Sequence, residues 1–296
     1  MRILLLGTTG QVGWELQRAL QPLGEVVGLA RAQADFDDAE SLRACFAIKP
    51  DVLINAVAYT AVDQAESDAD RAMRINGDAV RLLAEEARKI GALLIHYSTD
   101  YVFDGTSTVP YTEDMAPAPQ SEYGRSKLAG EKAIAASGCD FIVLRTSWVF
   151  ASRGKNFVRT VLRLAGERET LRIVADQHGA PTSARLIADC TARIVDQAVR
   201  ERKSASFSSG IFHLTASGRT SWHGLATRIV DRTRAVGSVP LKVVAVEAIA
   251  SADYPLPAKR PTNSSLDTTR VRERFALHLP DWTVGLDLCL AESSTA

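Results

Sequence analysis

Two side chains four residues apart, Tyr123 and Lys127, could together transfer a proton. Residues at this spacing share one face of a helix. A tyrosine ordinarily loses its proton near pH 10, and a nearby ammonium stabilises the phenolate and lowers the pKa of the phenol. Thr99, near the end of an apolar stretch, could hydrogen-bond the same carbonyl oxygen. The pair alone is weak evidence, because a surface tyrosine beside a solvated lysine occurs often by chance.

A glycine-rich turn near the start of the chain supplies the second half of a reaction. Gly7, Gly10 and Gly13 follow the apolar run 2–6 and precede residues 11–23, whose apolar residues have helical spacing. Glycines allow a backbone to approach a phosphate closely, and the free N–H groups of a helix start attract negative charge. The strand, turn and helix therefore predict a nucleotide pyrophosphate site, and hydride transfer to a carbonyl needs both this site and the tyrosine.

Composition excludes several classes of protein. The 296 residues contain 35 basic and 35 acidic side chains, so no overall charge would recruit nucleic acid or a membrane. No apolar stretch approaches the roughly 20 residues that span a bilayer. The four cysteines are far apart, which predicts reduced thiols in a cytoplasmic protein, and the five histidines lack the spacing of metal ligands.

Strand and helix patterns alternate through the first half of the chain. This alternation predicts a Rossmann-like, doubly wound parallel sheet over residues 1–150 that binds a dinucleotide. Beyond residue 150 the pattern loosens into shorter strands, such as 171–174, 210–214 and 241–246. We therefore expect residues 151–296 to form mainly a smaller substrate-binding lobe, interleaved with the first domain.

The motifs resemble those of the extended short-chain dehydrogenase/reductases and, within them, the dTDP-4-dehydrorhamnose reductase family. The resemblance covers nearly the whole chain, and its phrases occupy residues 7–16, 55–63, 96–103, 123–131, 145–150, 176–182 and 260–264. It implies reduction of the C4 keto group of a dTDP-4-keto-6-deoxyhexose for surface polysaccharide synthesis.

The resemblance also implies roles for individual residues. Tyr123 would donate a proton to the sugar oxygen, Lys127 would hold the nicotinamide ribose and lower the pKa of Tyr123, and Thr99 would be the active-site hydroxyl. The cofactor site would comprise Gly7, Gly10, Gln11, Val12, Gly13, Arg31, Asp35, Phe36, Ala56, Ala58, Tyr59, Thr60, Tyr97, Tyr123 and Lys127. The substrate site would comprise Thr99, Asp100, Tyr101, Trp148, Asn156 and Arg260. For four of these, structural roles compete: a strand-end turn for Asp100, a core aromatic for Trp148, a helix cap for Asn156 and a solvated guanidinium for Arg260.

The end of the second strand predicts the choice of cofactor. Enzymes that prefer NAD usually carry an acid there for the ribose 2′-hydroxyl, whereas this chain has Ala30 followed by Arg31. A guanidinium can bind a 2′-phosphate, so we expect NADPH to be preferred, although Arg31 could also be an ordinary loop residue. Asp35 and Phe36 would flank the adenine and allow some use of NADH.

Other functions and assemblies stay open at this level. A nucleotide-sugar 4,6-dehydratase or epimerase uses the same tyrosine and lysine, but a dehydratase needs a second acid after Asp100, where this chain has Tyr101. A non-catalytic cofactor-binding subunit, like that of methionine adenosyltransferase, would have lost the catalytic groups. Some family members are dimers bridged by Mg²⁺ on acidic side chains; Glu15 fits, but Arg185 stands where another acid is expected. A Mg²⁺ bridge is therefore doubtful, and both a monomer and a homodimer remain compatible with the sequence.

Overall fold

A parallel sheet of six strands forms the centre of the protein. The computed structural model describes residues 1–237 and 240–293. The strand order across the sheet is β10-β5-β4-β3-β1-β2, and every neighbouring pair is parallel. The twelve strands of the described residues are β1 Arg2–Leu6, β2 Glu25–Leu29, β3 Val52–Asn55, β4 Leu93–Thr99, β5 Phe141–Thr146, β6 Val149–Phe150, β7 Thr170–Val174, β8 His178–Gly179, β9 Thr182–Ser183, β10 Gly210–His213, β11 Thr220–Ser221 and β12 Ala245–Ile249.

Helices cover both faces of this sheet. The helices of the described residues are α1 Gln11–Ala19, α2 Ala39–Ala44, α3 Val62–Ala65, α4 Ala69–Met73, α5 Ala79–Ile90, α6 Glu122–Ser137, α7 Phe157–Glu167, α8 Ala184–Lys203, α9 Trp222–Val236, α10 Thr269–Phe275 and α11 Trp282–Ser293. Short 3₁₀ turns occupy Gln21–Leu23, Cys45–Ile48, Asp100–Val102 and Ser251–Asp253.

Alternate residues of each strand enter different cores, as expected for a sheet buried on both faces. Ile3 and Leu5 of β1 pack on the side of α1, α8 and α10, whereas Leu4 and Leu6 pack on the side of α2, α5 and α6. The apolar run 2–6 is therefore continuous because both of its faces are buried. The predicted doubly wound α/β fold is confirmed.

The second half of the chain returns to this sheet. The segment 210–214, which we expected among the strands of the smaller lobe, forms β10 and pairs with β5 at the edge of the main sheet. That expectation was wrong because a four-residue apolar run carries no signal of its partner strand. The strand expected at 241–246 begins later, at Ala245, and pairs with β7. The division near residue 150 stays a prediction.

A third core lies among α7, α9 and α11 with β7 and β12. Val158, Leu171, Ile229 and Leu286 are buried in it. The four cysteines are buried. In the described ranges, no helix has the length and apolar character needed to cross a membrane.

The helical stretch formed by α4 and α5 is interrupted by one wide turn. Between α4 and α5, residues Arg74–Asp78 form a π-helical segment. Such bulges are frequent at functional sites, because they displace one side chain from the regular helical spacing. The displaced turn contains Asn76, which is 1 % exposed.

Candidate active site

The glycine turn is built for close backbone packing. Gly7 adopts φ +89°, a conformation that favours glycine, and a Cβ added there would lie 3.0 Å from the backbone of Ala56. A Cβ on Gly13 would collide with the carbonyl of Gly7. These contacts place the start of α1 directly beside the ends of β1 and β3. A diphosphate held there would meet backbone N–H groups, so the turn fits a dinucleotide.

A cleft of about 360 Å³ opens beside this turn, a size typical of small-molecule sites. Eight of the predicted cofactor residues line it: Gly7, Gly10, Arg31, Asp35, Phe36, Ala56, Ala58 and Tyr59. Phe36 is at the same time largely buried, packed in the core beneath the cleft.

The other predicted cofactor residues lie around this cleft or behind it. Val12 packs into the core of the sheet, and Thr60 is exposed just beyond Tyr59. The hydroxyl of Tyr97 is 2.8 Å from the hydroxyl of Thr191, while its carbonyl accepts a hydrogen bond from Lys127. Gln11 contacts Asn156, at 2.9 Å. Their contacts with the cofactor stay predictions.

Three arginines gather at the far end of this cleft. Arg31, Arg71 and Arg74 all contact the carboxylate of Asp37, at 3.3, 3.1 and 3.5 Å. Only Arg31 was expected from the sequence, because Arg71 and Arg74 lie on a helix about forty residues further along the chain. Arg31 and Arg71 also line the cleft, and a guanidinium can bind a phosphate through two hydrogen bonds.

Tyr123 lies at the start of α6, close to the end of β4. The hydroxyl of Ser121 caps this helix by accepting from the N–H of Gly124, at 3.1 Å. A Cβ on Gly124 would collide with the carbonyl of Tyr101, so glycine lets α6 begin directly against the turn after β4. The rings of Tyr123 and Tyr101 meet edge to face with centroids 5.5 Å apart. Tyr123 also packs with Tyr59, which lines the cofactor cleft.

The phenol of Tyr123 is a weak acid in this environment. Burial raises the pKa of Tyr123 above its ordinary value, and the hydroxyl of Thr99 offsets only part of that rise. We had expected Lys127 to lower the pKa of Tyr123, but its ammonium is not among the groups that shift this pKa. A phenol whose pKa is raised stays protonated at neutral pH. It can then donate its proton to a substrate oxygen, as a general acid must.

Lys127 lies behind the tyrosine and is 1 % exposed. Its Nζ donates to the carbonyl of Tyr97 at 2.7 Å and lies 3.1 Å from Nε2 of His96. Burial lowers the pKa of Lys127 to about 8, and the negative charge of Glu131 opposes that shift. Glu131 is itself occupied by Arg145, which binds both of its oxygens at 2.9 and 2.6 Å.

Asp100 places a buried carboxyl next to Thr99. The hydroxyl of Thr99 donates to Oδ1 of Asp100 at 3.0 Å and accepts from the N–H of Tyr101 at 3.2 Å. Burial raises the pKa of Asp100 to about 6, with the nearby hydroxyls of Ser264 and Thr99 acting in the opposite direction. Desolvation is the largest cause, so this carboxyl is far from an ordinary strand-end turn residue.

A second cleft, of about 460 Å³, lies on the other side of Tyr101. Arg260 lines it and is held by Asp63 at 2.5 Å and by the hydroxyl of Tyr101 at 3.5 Å. Its side chain is 18 % exposed, so the alternative of a solvated guanidinium was wrong. Sequence reasoning missed Phe157, Gln177 and Trp222, which also line this cleft.

Trp148 and Asn156 each contact a residue from a distant part of the chain. Trp148 has φ +49° and stacks on Trp222, with centroids 3.6 Å apart. Asn156 caps α7 by accepting from the N–H of Arg159, and its amide donates to Gln11 and to the carbonyl of Ala151. The structural alternatives for both residues are therefore present, and their contact with a substrate stays a prediction.

Comparison with known proteins assigns the chain to a family. A family model described as RmlD substrate binding domain matches residues 1–295. The chain belongs to this family. It is 53% identical over 294 residues to the dTDP-4-dehydrorhamnose reductase of Burkholderia thailandensis, covering 99% of both chains, and 46% identical over 303 residues to that of Escherichia coli K12, covering 100% and 99%.

A solved structure of the family has the same fold. The dTDP-4-dehydrorhamnose reductase of Bacillus anthracis in complex with NADP superposes with a TM-score of 0.88 at 31% identity, covering 98% of this chain and 99% of that one. Family membership therefore rests on the whole length of the chain, including the lobe that carries the second cleft.

The Mg²⁺ site of some family members does not fit the residues of this chain. Arg185 is bound to Glu292 and lies 3.3 Å from Glu15, and Arg18 lies 3.6 Å from Glu15. A guanidinium between the two carboxylates supplies the positive charge that a metal would bring. Across residues 1–237 and 240–293, no group of three or more metal-ligating side chains is suitably placed for a metal ion.

Proposed function

We propose that this protein reduces the C4 keto group of dTDP-4-dehydro-β-L-rhamnose to give dTDP-L-rhamnose, with NADPH as the reductant. The observation that carries the proposal is the position of Tyr123 between two clefts. It shares a small core with Tyr59, which lines the cleft beside the glycine turn, and its ring meets that of Tyr101, which lines the second cleft. A proton donor at the junction of a cofactor site and a sugar site is what reduction of a bound ketone requires.

The cofactor would lie along the first cleft. Its diphosphate would meet the turn at Gly7 and Gly10, and its 2′-phosphate would reach Arg31 and Arg71. When bound, NADPH supplies the hydride that reduces the ketone.

The protein's own groups would handle the proton and the charge. Tyr123 would donate its phenolic proton to the oxygen that becomes the sugar 4-hydroxyl, and Thr99 would hydrogen-bond the same oxygen. The ammonium form of Lys127 would hold the ribose of the nicotinamide. Hydrogen bonds of this kind are stronger in a buried site than in water.

The sugar nucleotide would occupy the second cleft. Arg260 would contact the diphosphate, with Tyr101, Trp148 and Asn156 nearby, and Asp100 would contact the sugar. The dTDP identity rests on the family relationship. We further propose that the enzyme works in the cytoplasm and supplies L-rhamnose for a surface polysaccharide.

An assay of the purified protein tests the proposal. We expect NADPH absorbance to fall when dTDP-4-dehydrorhamnose is added, and dTDP-L-rhamnose to appear as the product. Reduction of only a UDP- or GDP-linked keto-sugar would overturn the substrate assignment. Tight binding of NADPH with no turnover of any keto-sugar would instead favour the non-catalytic subunit.

A further inference from the structure

A series of hydrogen bonds runs from Val57, which lines the cofactor cleft, through the buried side chains of Asn55 and His96 to Lys127. The N–H of Val57 donates to Oδ1 of Asn55 at 3.0 Å, and Nδ2 of Asn55 lies 3.1 Å from Nδ1 of His96. Nε2 of His96 lies 3.1 Å from Nζ of Lys127, which donates to the carbonyl of Tyr97 at 2.7 Å. Each link constrains the next, because a donor must face an acceptor.

The first hydrogen bond of this series decides which atom donates and which accepts in each of the following ones. The backbone N–H of Val57 can only donate, so the oxygen of the Asn55 amide must face it. The amide nitrogen of Asn55 then faces His96, and Nδ1 of His96 must accept. The reverse orientation of the amide would place two donors together at Val57 in a buried site, which costs about 1–3 kcal/mol.

The next link follows from the charge of His96. This side chain is 0 % exposed, and burial lowers its pKa well below the ordinary value, with the charge of Lys127 adding to the effect. A neutral imidazole carries one N–H and one lone pair. Since the lone pair is on Nδ1, the N–H is on Nε2 and is directed at Nζ of Lys127.

An ammonium has three donors and no acceptor, so in that state two N–H groups would face each other across 3.1 Å. A neutral amine has a lone pair that can accept from His96 while it donates to Tyr97. All four hydrogen bonds form together only in this state. We propose that His96 is a positioning residue that directs an N–H at Nζ of Lys127 and so favours the neutral amine over the ammonium, which then loses its proton more easily than an ordinary lysine does.

The charges around Lys127 are compatible with the neutral amine. On its own helix the facing charge is Glu131, which Arg145 of β5 neutralises. From β3 the uncharged amide of Asn55 reaches His96, and from the π-helical turn the uncharged amide of Asn76 reaches Ser126, the residue before Lys127. Burial and the hydrogen-bond chain therefore act together to lower the pKa of Lys127, to about 8.

The catalytic meaning of this inference rests on the proposed function. There, the ammonium form of Lys127 holds the ribose of the nicotinamide, so activity should fall as this ammonium loses its proton. The pKa of Tyr123 is raised, so Tyr123 stays protonated in that range. The alkaline limit of activity should therefore come from Lys127, near pH 8 instead of near the ordinary pKa of lysine.

The tautomer of His96 is the direct test, and it does not depend on activity. Protein labelled with ¹⁵N-histidine should show His96 protonated at Nε2 and not at Nδ1, with its signals identified by their loss in His96→Gln. A proton on Nδ1, or a doubly protonated ring at neutral pH, would overturn the proposal even if the variant fails to fold.

The variant His96→Gln supplies the second test, because its terminal amide can turn an oxygen towards Nζ and accept from an ammonium. We expect the pKa of Lys127, followed by ¹³C labelling at Cε, to rise by about one unit or more. The alkaline limit of kcat/KM for the sugar should rise with it. The matched control is His213→Gln, which removes another buried imidazole that has no bond to Lys127.

The results of these experiments distinguish failure of the role of His96 from failure of the proposed function. An unchanged pKa of Lys127 in folded His96→Gln, or an equal change in His213→Gln, would overturn the role of His96. If the Nε2–H tautomer and the shifted Lys127 are found while no keto-sugar is reduced, the proposed function fails and the positioning role stands.

Discussion

The side-chain amide of Asn76 is hydrogen-bonded to both backbone groups of Tyr59. Its oxygen accepts from the N–H of Tyr59 at 2.9 Å, and its nitrogen donates to the carbonyl at 3.1 Å and to the hydroxyl of Ser126 at 3.0 Å. The hydroxyl of Ser126 in turn donates to the carbonyl of Tyr123. One buried amide thus fixes a wall of the cofactor cleft relative to the helix that carries Tyr123.

Asn76→Ala should therefore weaken both the fold and the site. Loss of these bonds leaves buried polar groups without partners, and we expect a loss of about 2–4 kcal/mol in the free energy of unfolding. Urea unfolding measures this loss, and the KM for NADPH should rise together with it. An unfolding free energy equal to that of the parent protein would show that the amide is not needed to hold Tyr59.

Tyr123→Phe should remove the proton donor and keep the packed ring. Because general acid catalysis contributes about 10²–10⁴-fold, kcat should fall by that factor while the Kd for NADPH is nearly unchanged. The control is Tyr111→Phe, which removes a hydroxyl that binds Asp104 outside both clefts. Near-normal turnover in Tyr123→Phe would require another proton donor.

The arginine cluster should decide between NADPH and NADH. Arg31→Ala and Arg71→Ala should each raise the KM for NADPH about tenfold or more and leave that for NADH nearly unchanged, since a charge-assisted hydrogen bond contributes roughly 1.5–3 kcal/mol. Arg43→Ala is the matched control, because Arg43 is exposed and contacts Glu86 away from the cleft. Equal kcat/KM for the two cofactors, unaffected by either variant, would show that neither arginine recognises the 2′-phosphate.

Asp100→Asn should stabilise the folded protein at neutral pH. A carboxyl whose pKa rises from 3.8 to about 6 on folding binds its proton more tightly in the folded state, so stability falls as the pH rises through that window. Asparagine has no charge to desolvate. We expect the variant to gain about 1–3 kcal/mol in unfolding free energy above pH 6, and almost nothing near pH 4.

The unfolding free energies of the parent protein and of Asp100→Asn, measured from pH 4 to pH 7, show whether the gain in stability grows as the pH rises. The same substitution should raise the KM for the sugar nucleotide, or lower kcat, without changing the affinity for NADPH. A stability difference that is constant from pH 4 to pH 7 would mean that the carboxyl is not desolvated.

Removal of divalent metal should leave the enzyme unaffected. Arg185 already supplies a positive charge between Glu15 and Glu292, so EDTA should change neither the initial rate nor the mass measured by light scattering. A loss of activity that added Mg²⁺ restores would place a metal in the working enzyme.

The sequence predicted those parts of the site that follow one another along the chain. The glycine turn, Thr99 and the pair of Tyr123 and Lys127 each lie within a local pattern of strand, turn or helix, and such patterns reveal the ends of strands. Arg71 and Arg74 were missed because their link to Arg31 is spatial. His96 was missed because a buried histidine in an apolar strand has no pattern that shows its partner. Likewise, β10 could not be assigned to the main sheet from a short apolar run.

The contact between Asn156 and Gln11 means that the two ligands need not bind independently. Asn156 begins the first helix of the smaller lobe, and Gln11 begins the helix after the glycine turn. When binding of one ligand shifts one of these helices, the hydrogen bond between Asn156 and Gln11 transmits the shift to the other helix. By thermodynamic reciprocity, whatever factor NADPH imposes on the affinity for the sugar nucleotide, the sugar nucleotide imposes on the affinity for NADPH.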